Sequence, residues 1–443
     1  MPLLPATRAS LKTLYNALAD RILVPDDPVY VKELNCKGAS GADPIEEIAT
    51  EIDWQQGGGV CLFTGQRGTG KSTELQRLQK RLEQLGIVAF YADMAEYILL
   101  TKPIEISDFL ISISGALSDR IAADRRFGQN LTGLSYWDRL KNFLQTKVEF
   151  KEVSAKLGAV DIKAALKGDP DFKEKLQMAA RGHVTQLVRE SHLFFADAVT
   201  SLRQNSTNSD LKVALLVDSV ERVRGGGGDE TMKVFESVRD LFFGQAEHLR
   251  IPFVHLVYTV PPYLSVLAPA AGSLMGGATV RRLVSTHIFK DRSRESDNQG
   301  LALLRDVIEA RYTEWRKIFS QEALDRLALS SGGDLREFFR LLRLCLPAVQ
   351  DDAQLPLSAE AVAHAENAAR TEMLPIPSNH LAWLKRIAKS HAPCLKEEAD
   401  LPLLAHFLDN RLVLNYRNGD DWYDVHPLLR KVVDAYEGDT TTT

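Results

Sequence analysis

Residues 65–73 read GQRGTGKST, a spacing of glycines, lysine and hydroxyls that fits GxxxxGK[ST]. Gly65, Gly68 and Gly70 carry no Cβ, so the backbone there can curl until its amides face one point. Such a concave row of N–H groups attracts oxyanions, and a helix starting within it adds positive partial charge. Lys71 supplies a cation suited to the β-phosphate of ADP or the β- and γ-phosphates of ATP, and Ser72 a hydroxyl ligand for Mg²⁺. Gln66, Arg67, Thr69 and Thr73 complete the candidate nucleotide-binding loop. The competing reading, a glycine-rich connector, fits poorly with the strand-like and helix-like segments on either side.

Asp218 closes the apolar run KVALLVD and is suited to holding Mg²⁺ through water; the alternative is a cap for whatever follows the strand. Ser219 comes next, where many ATP-hydrolysing P-loop enzymes carry a glutamate that activates water. Glu221 can take that general-base part if the strand ends in a tight turn, or it is a solvated acid pairing with Arg222 or Arg224. Thr259 ends the run HLVYT, and ligands of parallel sheets gather beyond the carboxyl ends of strands. Its hydroxyl suits a γ-phosphate or the attacking water, or else the turn before Pro261. Arg336, in SGGDLREFFRLLR, follows the good N-cap Asp334 and falls in a first helical turn. The helix dipole disfavours a cation there, which a phosphate partner would rationalise; a plain surface arginine is the alternative.

The elements that must hold these groups follow from periodicity. VCLFTG is a buried strand, and KSTELQRLQKRLEQLG is a helix with Leu75, Leu78, Leu82 and Leu85 in one stripe and Gly86 as C-cap. IVAFYAD is the next strand, which makes a parallel βα unit. KVALLVDSV, PFVHLVYTVP and RRLVSTHIF read as three more strands. Residues 1–56 form an N-terminal extension, in which DPVYVKEL reads as a short strand and ADPIEEIATEIDW as a helix with Asp43 as cap and Pro44 first. Residues 57–290 form the core, with a helical insertion at about 94–210. There SDFLISISGALSDRIAADRR is a helix capped by Ser107, and VEFKEVSAKLGAVDIKAAL alternates like a hairpin. DPDFKEKLQMAARGHVTQLVRESHLFFADAVTSLRQN reads as one long amphipathic helix. Residues 291–374 are a helical lid, and 375–443 a winged-helix domain whose wing turns at Asn418-Gly419. The expected fold class is α/β, a P-loop NTPase parallel sheet with a helical lid and a C-terminal winged-helix domain.

Composition sets outer limits. The chain has 443 residues, 45% hydrophobic and 26% charged, which suits a globular protein with a real core. The net charge of −5 disfavours coating nucleic acid by bulk charge. The cysteines, Cys36, Cys61, Cys345 and Cys394, have neither zinc nor disulfide spacing. No run is long enough to span a membrane, and the N-terminus lacks signal-peptide order, so a cytoplasmic location is expected.

Walker-type loop, strand acid, helical lid with GGDLRE and winged helix is the order seen in AAA+ and STAND ATPases, which the chain resembles over residues 57–90 and 210–437. GDLR, ending at Arg336, resembles the AAA+ sensor-two motif. VDSVERV looks like the NACHT branch of STAND proteins, whose second acid comes three positions after the first, here Glu221. YDVHPLLRKV is similar to the STAND winged-helix histidine motif, which reads the β-phosphate of bound ADP and locks the closed state; here the histidine is His426. A neutral imidazole N–H at a helix start suits that part, and a helix-start histidine beside Pro427 is the competing reading. The resemblance implies ATP or ADP with Mg²⁺, slow hydrolysis, a nucleotide-dependent homo-oligomer, a separately encoded effector or sensor partner, and a bacterial conflict or antiphage setting.

Three functions compete at this point. The first is a nucleotide-controlled switch. The second is a DNA-binding AAA+ ATPase of the replication-initiator or transposition-regulator type. Against it, residues 377–443 hold eight Lys plus Arg and ten Asp plus Glu, LPLLAHFLDN has no Lys or Arg, and the wing tip NGDD is acidic. The third is a nucleotide-binding scaffold that barely hydrolyses. Arg281 and Arg282, placed before the last strand, are either fingers for a neighbouring subunit's phosphate or surface charge.

Overall fold

The computed structural model describes residues 3–32, 34, 43–127, 135–150, 159–223, 229–266, 274–277, 279–418 and 420–437. They fall into two compact units. One consists of Ile45–Thr64 and Glu74–Arg282, and the other of Met1–Pro44, Gly65–Thr73 and Leu283–Thr443.

The first unit is built on a five-stranded sheet: β1 (Gly59–Gly65), β2 (Val88–Asp93), β3 (Val213–Asp218), β4 (Val254–Val260) and β5 (Thr279–Leu283), in the order β2-β3-β4-β1-β5. The pairs β1–β4, β2–β3 and β3–β4 are parallel. Strands β3 and β4 are buried along their whole length. That explains why their sequences are continuous apolar runs rather than alternating ones. The helix Pro44–Trp54 starts on its proline, as expected, and turns Glu47 and Glu51 toward Arg281, at 2.8 and 3.4 Å. Arg281 lies inside β5 rather than before it, and it is paired within its own chain.

The insertion is helical. Its first helix, Ile106–Ala123, begins one residue before Ser107, because Glu105 and Asp108 cap it reciprocally. A Cβ on Gly115 of this helix would stand 2.2 Å from the Trp137 ring, so glycine is what admits helix Tyr136–Thr146 so closely. The expected hairpin is not formed where it is described: residues 159–168 are helix, and residues 151–158 lie outside the described residues. The expected single long helix is two, Pro170–Ala180 and Val184–Gln204, with a 3-10 turn at Arg181–His183. Gly182 sits in that break, where an uninterrupted helix would have cost about 1 kcal/mol relative to alanine. The apolar stripe itself is real: Leu176, Ala180, Leu187, Phe194, Ala198 and Leu202 are all buried.

The second unit is mostly helical. Helices Asn298–Arg311, Gln321–Ser330, Leu335–Cys345 and Ala363–Glu372 share a core that includes Trp315, Phe338 and Leu342, and the helix Pro5–Ala17 adds Leu11 and Leu14 to it. The segment DPVYVKEL forms turns rather than a strand in its described residues. Helices Ser378–Ser390 and Leu401–Asp409, the antiparallel hairpin β6 (Val413–Asn418) and β7 (Asp420–Val425), and helix Arg430–Ala435 follow, in the element order of a winged helix. Gly419 at the wing turn, like Gly225–Gly228, lies outside the described residues. Tyr416 stacks on Trp422 with ring centroids 4.4 Å apart and donates its hydroxyl to the Gly332 carbonyl at 3.0 Å. The buried Asp424 accepts from Arg294 at 2.7 and 2.8 Å and from Arg430 at 2.8 Å, which holds β7 against this core.

The fifth strand ends at Leu283, earlier than the sequence suggested. Beyond it the chain is drawn away by glycines. The Thr286 N–H donates to the Gly333 carbonyl at 3.1 Å. A Cβ on Gly300 would overlap the His287 carbonyl oxygen, at 1.6 Å. The Ile288 carbonyl accepts the Asp297 N–H at 2.8 Å, so the backbone past Leu283 bonds to other segments rather than to the sheet at Thr286 and Ile288.

Candidate functional site

The loop Gly65–Thr73 links β1 to helix Lys71–Gln84, and its curvature comes from Gly68 and Gly70 at φ +98° and +93°. Side chains rarely adopt such angles, so the glycines are required by conformation. A Cβ on Gly70 would meet nothing within 4 Å, whereas one on Gly68 would stand 2.7 Å from Asp334 Oδ1 and 2.9 Å from Arg336 Cβ. The tip of the loop therefore lies directly on the start of helix Leu335–Cys345.

Lys71 is 6% exposed, and its ammonium donates to the carbonyls of Gly65 at 2.8 Å and Gln66 at 3.0 Å. Thr69 Oγ1 donates to the same Gln66 carbonyl at 2.9 Å. The Gln66 side chain turns outward from the loop, and its Nε2 donates to the Val413 carbonyl of β6 at 2.9 Å. Thr73 Oγ1 accepts from the Leu23 N–H at 3.2 Å, Ser72 is half-buried and Arg67 is exposed. A curled backbone with an ammonium at its centre fits a phosphate chain, and Ser72, first after the lysine, fits a magnesium ligand.

Asp334 caps its helix by accepting the Glu337 N–H at 2.8 Å. Arg336 follows in the first turn, and its guanidinium meets Asp20 of the N-terminal segment at 2.7 Å. That carboxylate answers the electrostatic question a cation raises at a helix start. Arg411 stands 3.5 Å from Asp334 and 3.4 Å from Glu337. Burial pushes the Asp334 carboxyl up, although Arg411 opposes it. Burial also pushes Glu337 up, but its fork with Arg340, with His426 and Arg411 nearby, holds it below the ordinary value.

His426 is 1% exposed and begins the turn Pro427–Leu429, where its Nδ1 accepts the Leu428 N–H at 3.3 Å. This makes it the Nε2–H tautomer. Burial pushes its pKa down to about 4, against the pull of Glu337, so the ring is neutral at pH 7. It lines a cavity of about 500 Å³ with Glu337, Arg340, His380, His406 and Arg411. None of the residues 65–73 lines this cavity.

The remaining candidates belong to the sheet. Asp218 and Asp93 are register partners at the carboxyl ends of β3 and β2. Asp218 is fully buried, accepts the Tyr91 hydroxyl at 2.6 Å and accepts the Ser219 N–H at 2.7 Å. Ser219 takes φ +70°, and this left-handed step starts the 3-10 turn Val220–Arg222 that carries the half-buried Glu221. The tight turn that Glu221 needed is therefore present. Thr259 pairs in register with Phe63 of β1, and its hydroxyl accepts the Val220 N–H at 3.3 Å, so it supports the turn after β3. Tyr91 escaped the sequence reading, as did the direction in which the Gln66 side chain turns. Finding Tyr91 required knowing that β2 lies beside β3.

A sheet of this order, with a glycine loop and helix after β1 and an acid ending β3, is a P-loop NTPase fold. No family model and no curated protein matches the chain. Solved structures with some likeness include the ORC2 protein of Aeropyrum pernix in ADPNP-ADP complexes, at 11% identity and TM-score 0.40 over 96% of this chain and 97% of that one. Cdc6p of Pyrobaculum aerophilum gives 14% and 0.36 over 95% and 97%. A Walker-type ATPase of Pyrococcus abyssi gives 11% and 0.45 over 94% and 99%.

Proposed function

We propose that the chain binds ATP and ADP with Mg²⁺ at Gly65–Thr73 and works as a slowly hydrolysing switch of the AAA+/STAND type. The observation that carries this reading is the loop itself. Two glycines at positive φ curl its backbone around the Lys71 ammonium, while its outer face bonds to β6 and rests on the Asp334 helix start. A phosphate chain in that curl competes for Lys71, and what Lys71 releases belongs to the unit that also holds the lid helices and the wing. A nucleotide shifts a two-state equilibrium only through contacts that differ between the states, and in this reading the Lys71 bonds to the Gly65 and Gln66 carbonyls are those contacts. In this reading Ser72 and Asp218 serve Mg²⁺, and Glu221, raised on its 3-10 turn, polarises water. The output is association with further copies or with a separately encoded partner.

The test is mass photometry of the full chain with Mg·ADP and with a slowly hydrolysed ATP analogue, for wild type and Lys71→Ala. A change of assembly between the two nucleotides, absent in the variant, supports a switch. Identical mass distributions in both nucleotides, with nucleotide demonstrably bound, leave a nucleotide-binding scaffold.

A further inference from the structure

Gln66 occupies a variable position of the loop motif, yet its side chain is one of the most buried in the segment, at 3% exposure. Its two ends have separate partners. The amide nitrogen donates to the Val413 carbonyl at 2.9 Å, and the amide oxygen accepts the Ser285 hydroxyl at 3.4 Å. Its backbone carbonyl meanwhile accepts from the Lys71 ammonium at 3.0 Å and from Thr69 Oγ1 at 2.9 Å. One residue thus joins the cation at the centre of the loop to the backbone of the wing.

We infer that Gln66 is a positioning residue that couples the occupancy of the loop to the β6–β7 hairpin. This coupling presupposes that phosphate binds at Lys71. A phosphate that draws the ammonium away leaves the Gln66 carbonyl without its cation, and the peptide then has reason to turn. The side chain is tied at both ends in a buried place, so a turn of the peptide is felt at Val413. Val413 pairs with Val425 across the hairpin, and the next amide, that of His426, donates to the Leu412 carbonyl at 2.9 Å. The chain of contacts runs from Lys71 through Gln66 and Val413 to His426. Among side chains of this length, a neutral amide alone offers a donor to a carbonyl and an acceptor to a hydroxyl at once. Leucine keeps the volume and has neither; glutamate keeps the acceptor and sets a negative charge against a carbonyl oxygen.

The experiment is hydrogen–deuterium exchange of residues 412–426 in the full chain, for wild type, Gln66→Leu and Gln66→Glu. Each is measured without nucleotide, with Mg·ADP and with a slowly hydrolysed ATP analogue, and fluorescent ADP is titrated alongside. Both variants should lose protection at 412–418 by roughly tenfold without nucleotide, as expected for a buried carbonyl deprived of its donor. The ADP titration sets the concentrations so that every form is compared at saturating nucleotide, and in both variants the difference in protection between the two nucleotides should vanish. Wild-type protection of 412–426 in the variants, or an ADP–ATP difference as large as in wild type, overturns the coupling. If wild type binds no nucleotide, the functional reading fails while the nucleotide-free arm still decides whether Gln66 holds β6. If Gln66→Leu does not fold, Gln66→Glu decides.

Discussion

The loop glycines make a sharp prediction because their surroundings differ. Gly68→Ala and Gly70→Ala both place a side chain at a left-handed φ, +98° and +93°, at a cost of about 1–2 kcal/mol each. Gly70→Ala adds nothing more, since open space receives its methyl. Gly68→Ala drives its Cβ to 2.7 Å from Asp334 Oδ1 and 2.9 Å from Arg336 Cβ. Asp334 cannot retreat freely, being fully buried and holding the Glu337 N–H. Displacing it adds about 1–3 kcal/mol of overpacking and about 1 kcal/mol for the lost cap. Both variants should bind nucleotide poorly. Only Gly68→Ala should loosen the helix start, lowering hydrogen-exchange protection at residues 335–338 by about 30- to 700-fold, while Gly70→Ala stays within about twofold. Equal protection at 335–338 in the two variants would refute the claim that the loop tip rests on this helix.

Further consequences follow from the same geometry. With a folded pKa near 4 against an ordinary 6.5, His426 stays neutral while the unfolded chain takes up a proton, so stability is full above pH 6.5 and lost as pH falls toward 4. The loss from pH 6.5 to 5 is about 2 kcal/mol, and thermal melts of His426→Asn, whose amide oxygen can still accept the Leu428 N–H, should show a correspondingly flatter pH dependence; an unchanged slope contradicts the assignment. Arg411→Met removes the cation between Asp334 and Glu337 and should cost roughly 3–5 kcal/mol in chemical unfolding, with a loss under about 0.5 kcal/mol arguing that the cluster is solvent-screened. Glu221→Gln should lower ATP turnover at least tenfold if its carboxylate polarises water. Turnover equal to wild type would return Glu221 to a solvated acid.

Much of the fold was readable because its signals are local. The loop, its helix, the apolar strands, the Asp334 cap and the wing hairpin each follow from spacing within a dozen residues. The misreadings come where distant parts decide. Residues 284–288 carry a strand-like pattern, but Thr286 bonds to Gly333, Ile288 bonds to Asp297, and His287 passes against Gly300. Gly182 splits one apolar stripe into two helices while leaving its buried face intact. At the candidate site, residue types were legible and directions were not. The sequence offers Arg336 a phosphate partner or a plain surface position, and in the structure its guanidinium meets Asp20 of the N-terminal segment. The motif places Gln66 in the nucleotide loop, and only the structure shows that its side chain reaches β6. The resemblance makes His426 a phosphate contact, with a helix-start histidine as the competing reading, and the structure shows its ring lining a cavity with Glu337, Arg340 and Arg411. No helix among the described residues is long and apolar enough to cross a membrane.

The central claim is that a nucleotide's phosphates occupy the curl around Lys71. Isothermal titration of the full chain with ADP and with an ATP analogue, in the presence and absence of Mg²⁺, tests it most directly. The account expects saturable binding of one nucleotide per chain, stronger for the triphosphate when Mg²⁺ is present, and abolished by Lys71→Ala in a protein that still melts cooperatively. Absence of heat, of thermal stabilisation and of retained nucleotide in the wild-type chain, or undiminished binding in Lys71→Ala, would contradict it.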